Sequence, residues 1–164
     1  MNPNAMNLDG ARLSDTSERE ILIERLIDAP RELVFAAWTD AQHIDRWWGP
    51  AGFTNSTRHM DVRVGGEWRY TMHGPDGTDY PSLVRYLAVE PPGRLHYLLG
   101  DEEMENSFEV TVLFEDRAGK TQLSMRSLFP SKAARDFVVE NYRAIQGGNE
   151  TIDRLEGFLA ARAG

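Results

Sequence analysis

Turn signals cut residues 54–129 into six short segments, and this punctuation constrains the fold more than any other feature of the chain. Gly65-Gly66, Pro75-Asp76-Gly77, Pro91-Pro92-Gly93, Gly100-Asp101 and Ala118-Gly119 separate segments 54–62, 67–73, 79–89, 94–99, 107–114 and 121–129. Short strand-length segments at regular spacing with tight turns between them predict an antiparallel meander. A further strand precedes it. Residues 18–28 alternate loosely, with Ile21, Ile23 and Arg25 on one face and Leu22, Glu24 and Leu26 on the other.

Helical signals flank the meander. Asp28-Ala29-Pro30 opens a helix, because proline in a first turn lacks only an amide hydrogen that would go unpaired there. That helix is predicted to run to about Trp38, with Val34, Phe35 and Trp38 inward. Thr39 or Asp40 can cap a second short helix over residues 41–47. Beyond the strands, Ser131 caps a long helical stretch in which Val138, Tyr142, Ile145, Ile152, Leu155 and Leu159 form an apolar stripe. Gly147-Gly148 in its middle costs about 2 kcal/mol against alanine and predicts a bend. The order is strand, two helices, six strands, long helix, an α+β chain with no internal repeat or low-complexity linker. We therefore expect one domain over residues 18–162 behind a polar arm, residues 1–17.

At 164 residues the chain is long enough for a core with a cavity inside it. No apolar run approaches the roughly 18 residues a membrane helix needs, and the start has neither a basic stretch nor an apolar signal core. Membrane insertion and export are not expected. The absence of cysteine removes disulfides, thiolate nucleophiles and Cys-based zinc sites, and suits the cytoplasm. A net charge of -8 without a basic cluster argues against nucleic acid.

Residues 44–53 read I-D-R-W-W-G-P-A-G-F. Adjacent indoles on a helix point about a quarter-turn apart, so if Trp47 faces the interior, Trp48 faces a groove, a partner or a cavity mouth. With G-G-E-W-R-Y at 65–70 and T-I-D-R-L-E-G-F-L at 151–159, this tract resembles the SRPBCC (START-like) superfamily. The branch it resembles is named after the activator of the heat-shock-protein-90 ATPase, and the resemblance covers residues 18–161. It implies a helix-grip fold, a curved antiparallel sheet of about seven strands around a C-terminal helix. Such a sheet and a straight helix cannot close-pack along their whole length, so a cavity lined by aromatic side chains is expected between them. Related domains bind lipids, sterols and polyketides. Relatives commonly carry Gly-Trp where this chain has Gly147-Gly148, and the missing indole would free volume near the cavity.

Trp68, Tyr70 and Met72 share the inward face of their strand, and a buried Tyr70 phenol needs a hydrogen-bond partner that a ligand could supply. Trp47, Trp48, Phe53, Met60, Tyr86, Tyr97, Phe108, Met125, Phe129, Tyr142 and Ile152 are each either core or cavity lining. Gly148 and Asn149, on the inward stripe of the helix, complete the candidates. Catalytic signals are weaker. His43, His59, His73 and His96 lack metal-ligand spacing, Glu24, Asp61, Glu67 and Glu109 form no evident acid–base pair, and no nucleophile elbow occurs. The acidic run 101–105 reads as a solvated loop.

The expected function is binding of a hydrophobic or aromatic small molecule, with no cofactor and no metal. The alternative is an enzyme of cyclase or hydratase type, for which Tyr70, His59, His96 and Arg85 are the residues to test. Trp48, Pro50 and the exposed sheet face could serve a homodimer. The short segment ahead of the first strand argues against chaperone activation, which in the eukaryotic activator involves a separate N-terminal domain.

Overall fold

The computed structural model describes residues 17–163. The expected polar arm lies outside them except for Ser17, which opens a single 3-10 turn, Ser17–Arg19. Seven strands follow in one antiparallel sheet: β1 Glu20–Ile27, β2 Thr54–Met60, β3 Glu67–His73, β4 Asp79–Glu90, β5 Arg94–Gly100, β6 Phe108–Arg117 and β7 Lys120–Leu128. Their spatial order is β1-β7-β6-β5-β4-β3-β2. The predicted meander is thus the body of the sheet, and β1 joins its far edge beside β7 with Glu20 opposite Leu128 and Ile27 opposite Thr121. β6 extends past the predicted 114 to Arg117, because its hairpin with β7 stays paired as far as Arg117 and Lys120.

Alternation along β1 sorts its side chains as the sequence predicts. Ile21, Ile23 and Ile27 are buried, while Leu22 and Leu26 are half exposed on the outer face. Arg25 belongs to the inner face and escapes burial by reaching over the sheet edge. Its guanidinium donates to Asp153 at 2.8 Å, Glu156 at 2.6 Å and Asn149 Oδ1 at 3.1 Å.

The helices are α1 Arg31–Thr39, α2 Ala41–Ile44, α3 Lys132–Tyr142 and α4 Ala144–Ala163. Pro30 stands just ahead of α1, and Val34, Phe35 and Trp38 point inward as expected. Asp40 is the cap of α2, accepting from the amides of Gln42 and His43. That helix is shorter than the predicted 41–47. Trp47 and Trp48 continue it only as turns bonded back to the Ile44 carbonyl, and Gly49 at φ +111° then redirects the chain.

The long helical stretch differs from expectation in a second way. It begins where Ser131 Oγ accepts from the Ala134 amide, but breaks at Arg143, whose φ of 50° and ψ of 48° are left-handed. The glycine pair lies inside α4, and the Gly147 amide donates to the Arg143 carbonyl at 2.8 Å. These glycines serve close approach, not a bend: a Cβ at Gly148 would lie 2.5 Å from Ile23 Cδ1, and one at Gly147 would lie 3.4 Å from Pro50 Cγ. The break also rotates the predicted stripe apart. Ile152, Leu155 and Leu159 are buried, whereas Tyr142 is 62% exposed and Ile145 is 40% exposed.

Packing is uneven along α4. Its second half carries Ile152, Leu155 and Leu159, which belong to the same buried core cluster as Trp38, Phe114, Leu95, Val112 and Leu123. Trp38 sits at the centre, edge-on to Trp47 at 4.9 Å and to Phe114 at 5.7 Å. Its first half offers only Ala144, Gly147, Gly148 and Thr151 to the sheet, and there the space stays open.

Candidate functional site: the cavity between sheet and helix

That open space is a cavity of about 260 Å³. Its floor is the inner face of β3 to β7: Tyr70 and Met72, Ser82, Tyr97 and Leu99, Phe108 and Val110, then Met125 and Ser127. Register sets these side chains side by side, with Tyr70 opposite Ser82, Leu99 opposite Phe108, and Val110 flanked by Tyr97 and Ser127. The small residues of α4 form the roof. Tyr142, at the end of α3, and the Trp48-Gly49-Pro50 loop close the sides.

The two adjacent tryptophans divide their work. Trp47 is fully buried and donates from Nε1 to the Ala37 carbonyl at 3.1 Å, anchoring the loop to α1. Trp48 turns to the cavity wall, 5.3 Å from the Trp68 ring and 6.2 Å from that of Tyr70, edge-on to both. Arg154 of α4 ties the loop down, donating from one nitrogen to the carbonyls of Gly49 at 3.0 Å and Pro50 at 3.2 Å. Trp48 is only 8% exposed, so it offers no surface to a homodimer.

Among the described residues, no side chain that lines the cavity carries a charge. Burial pushes the Tyr70 phenol up to about 12, offset in part by polar contact with Trp48 and Ser82. Burial also raises the phenols of Tyr86 and Tyr97. The Tyr97 hydroxyl has no hydrogen-bond partner among the described residues, and neither has the indole nitrogen of Trp38.

Of the candidate residues, Trp48, Tyr70, Met72, Tyr97, Phe108, Met125, Tyr142 and Gly148 come together at the cavity. Others do not reach it. Trp47, Tyr86 and Ile152 are core. Trp68 is core as well, stacked at 4.0 Å on Tyr70 with its Nε1 bonded to Thr57 Oγ1 at 2.9 Å. Phe129 stacks on Phe108 at 4.6 Å, outside the wall. Phe53 packs against Tyr80, and Met60 lies beside a shallow surface recess near α2. Asn149 satisfies itself through the Ile145 carbonyl and Arg25, because its position on α4 overhangs β1.

Ser82, Leu99, Val110, Ser127, Ala144, Gly147 and Thr151 also line the cavity, and sequence reasoning missed them. A signal was available for the roof residues: small side chains at Ala144, Gly147, Gly148 and Thr151 leave one face of a helix bare just before the large ones begin. The serines carry no such signal, since only pairing with Tyr70 and Val110 shows where they point.

The acid–base candidates separate. His59 is exposed, His96 bonds Glu109 at 2.9 Å, and Arg85 bonds Glu67 at 3.0 Å, so of the four only Tyr70 meets the cavity. On the exposed face of β2 and β3, Ser56 Oγ lies 2.9 Å from His73 Nε2, and His73 Nδ1 lies 2.8 Å from Asp79. This has the order of a hydrolytic triad. Ser56 is nevertheless mid-strand and paired with Thr71, not on a sharp turn that presents a nucleophile beside free amides. Among the described residues, no three His, Cys, Asp or Glu side chains gather as a metal site requires, and no helix is long and apolar enough to cross a membrane.

A seven-stranded curved sheet gripping one C-terminal helix, with the aromatic loop before β2, matches a known pattern at the level of sequence. The family model described as activator of Hsp90 ATPase homolog 1-like protein matches residues 28–160. The chain belongs to this family. Among solved structures, a protein of Arthrobacter aurescens is 26% identical over 90% of each chain, with a TM-score of 0.82. Protein Ms6760 of Mycobacterium smegmatis is 24% identical over 88% of this chain and 93% of its own, with a TM-score of 0.79. A Rhodobacter sphaeroides protein is 25% identical over 90% of this chain and 97% of its own, with a TM-score of 0.78. No curated protein matches. Membership in the activator-homologue family and these likenesses establish the helix-grip fold.

Proposed function

We propose that this protein is a binding domain that holds a hydrophobic or aromatic small molecule between the sheet and α4. The observation that carries this reading is the cavity wall itself, mostly aromatic and aliphatic with the hydroxyls of Ser82, Ser127 and Thr151 among them, uncharged, and placed where α4 has only small side chains. Such a wall rewards burial of an apolar ligand by about 25 cal/mol per Å², and no carboxylate or imidazole lines it to activate the Ser82, Ser127 or Thr151 hydroxyls. Turnover of the cyclase or hydratase kind would rest on Tyr70 alone.

Native mass spectrometry of freshly purified protein tests the proposal. A reproducible extra mass that is lost on denaturation is the expected result, and the same spectrum distinguishes monomer from homodimer. Uniformly unadorned protein, combined with no uptake of added apolar aromatics, would sink it.

A further inference from the structure

A second hollow lies against the other half of α4 and shares no lining residue with the cavity. Leu33, Ala36 and Ala37 stand at i, i+3 and i+4 on one face of α1, and Phe158, Leu159 and Arg162 meet them from the last turns of α4. His43 of α2 completes the wall. The two alanines leave the gap. Its volume is about 160 Å³, and a protein cavity of about 150 Å³ holds one benzene ring.

The hollow is apolar except for two side chains, and both of these donate. Arg162 lies over the Phe158 ring, 5.4 Å from its centroid, and makes no ion pair or hydrogen bond with another described residue. A guanidinium placed over a ring keeps the N–H groups in its own plane free for a carboxylate. His43 leans on the same ring at 5.5 Å. Its Nδ1 is buried without a partner, and a buried nitrogen that faces no acceptor carries a lone pair at less cost than a proton. The neutral ring therefore holds its hydrogen on Nε2 and donates from there. No carboxylate among the described residues lines the hollow.

Charge separates this site from the cavity, whose described wall has none. The protein carries a net charge of -8, so an anion gains nothing from the molecule as a whole and needs a local cation. We propose that the hollow between α1 and the end of α4 is a second binding site, for a small carboxylic acid with one aromatic ring, the ring against Ala36, Ala37 and Leu159 and the carboxylate on Arg162.

Titration of the full chain with benzoate and with benzyl alcohol, followed by amide NMR, tests this, since the two share a ring and differ in charge. Benzoate should shift the amides of Leu33, Ala36 and Phe158 saturably and leave those of Ser82 and Gly148 in place. It should bind about tenfold tighter than benzyl alcohol, the scale of one charge-assisted hydrogen bond. Arg162→Gln, an exposed change in the last turn of α4, should erase that advantage and leave benzyl alcohol unchanged. Equal affinity for the two probes overturns the inference, as does a tenfold advantage that survives Arg162→Gln. Shifts confined to Ser82 and Gly148, or no saturable shift at all, overturn it as well. The binding reading of the cavity stands or falls separately, because the amides of Ser82 and Gly148 report on that wall alone.

Discussion

At the scale of single residues, buried polar groups carry most of the specificity. Asp45 shows how one side chain can finish an edge strand. Its carboxylate accepts from Asn55 Nδ2 at 2.9 Å, the Thr57 hydroxyl at 2.6 Å and the Thr57 amide at 3.1 Å. The free edge of β2 is closed there by a carboxylate that would also repel a second strand's carbonyls. Its partners lie ten and twelve residues away, so no local pattern announces them. The phenols are easier to anticipate, since alternation along β3 already turns Tyr70 inward. Their titration has a consequence for stability. Tyr70 ionises at its ordinary value of 10.0 when unfolded and at about 12 when buried, so the unfolded chain releases its proton first as pH rises. The stabilisation is therefore complete below pH 10 and drains away between 10 and 12, with Tyr86 and Tyr97 shifting in the same direction. Urea unfolding compared at about pH 9 and about pH 11 should show a loss of roughly 1 kcal/mol from Tyr70 alone. Tyr70→Phe should shrink the loss by that amount, and an unchanged pH dependence in this variant would show that Tyr70 is not the group responsible.

Among elements, the joint between α3 and α4 is where local rules and tertiary packing disagree most. A glycine pair costs about 2 kcal/mol in a helix interior and predicts the break at residues 147–148. The chain instead breaks at Arg143, a residue with a Cβ held at φ 50°. The reason is contact across space. Ile23 of β1 and Pro50 of the aromatic loop occupy the positions that side chains at 148 and 147 would need, so α4 must run straight and close there. The turn needed to place α3 beside the start of β1 is then made one helical turn earlier, where nothing presses on the helix. A left-handed residue other than glycine is held at a cost of about 1 kcal/mol or more. Arg143→Gly should accordingly raise the thermal midpoint by a few degrees, corresponding to about 1 kcal/mol. A lower midpoint in calorimetry would mean that the Arg143 side chain contributes more than its backbone costs.

For the whole molecule, the decisive pairing is the most distant one. β1 is first in the chain and joins β7, the last strand, so that Ile21, Ile23 and Ile27 complete a core begun by residues a hundred positions later. Removing residues 1–27 would expose the β7 edge and strip α4 of the surface under Asn149, Asp153 and Glu156. This truncation should abolish cooperative unfolding, and a sharp two-state melt by circular dichroism would contradict it. Much of this architecture is legible in advance. Turn residues at Gly65-Gly66, Pro75-Asp76-Gly77 and Ala118-Gly119, alternation at Trp68 and Tyr70, and the Ser131 cap are local interactions, and local interactions depend only on neighbours in the chain. Those signals determine the element order, the antiparallel meander and the inward faces, and the tracts 44–53, 65–70 and 151–159 in their order and spacing carry the family resemblance. Three-dimensional packing alone decides which inward residues are core and which are wall. Trp47 and Trp48 are identical in type and adjacent in sequence, yet one is sealed against α1 and the other borders a cavity. Their fates differ because α4 presents large side chains over one end of the sheet and small ones over the other, and that juxtaposition exists only once the chain has folded.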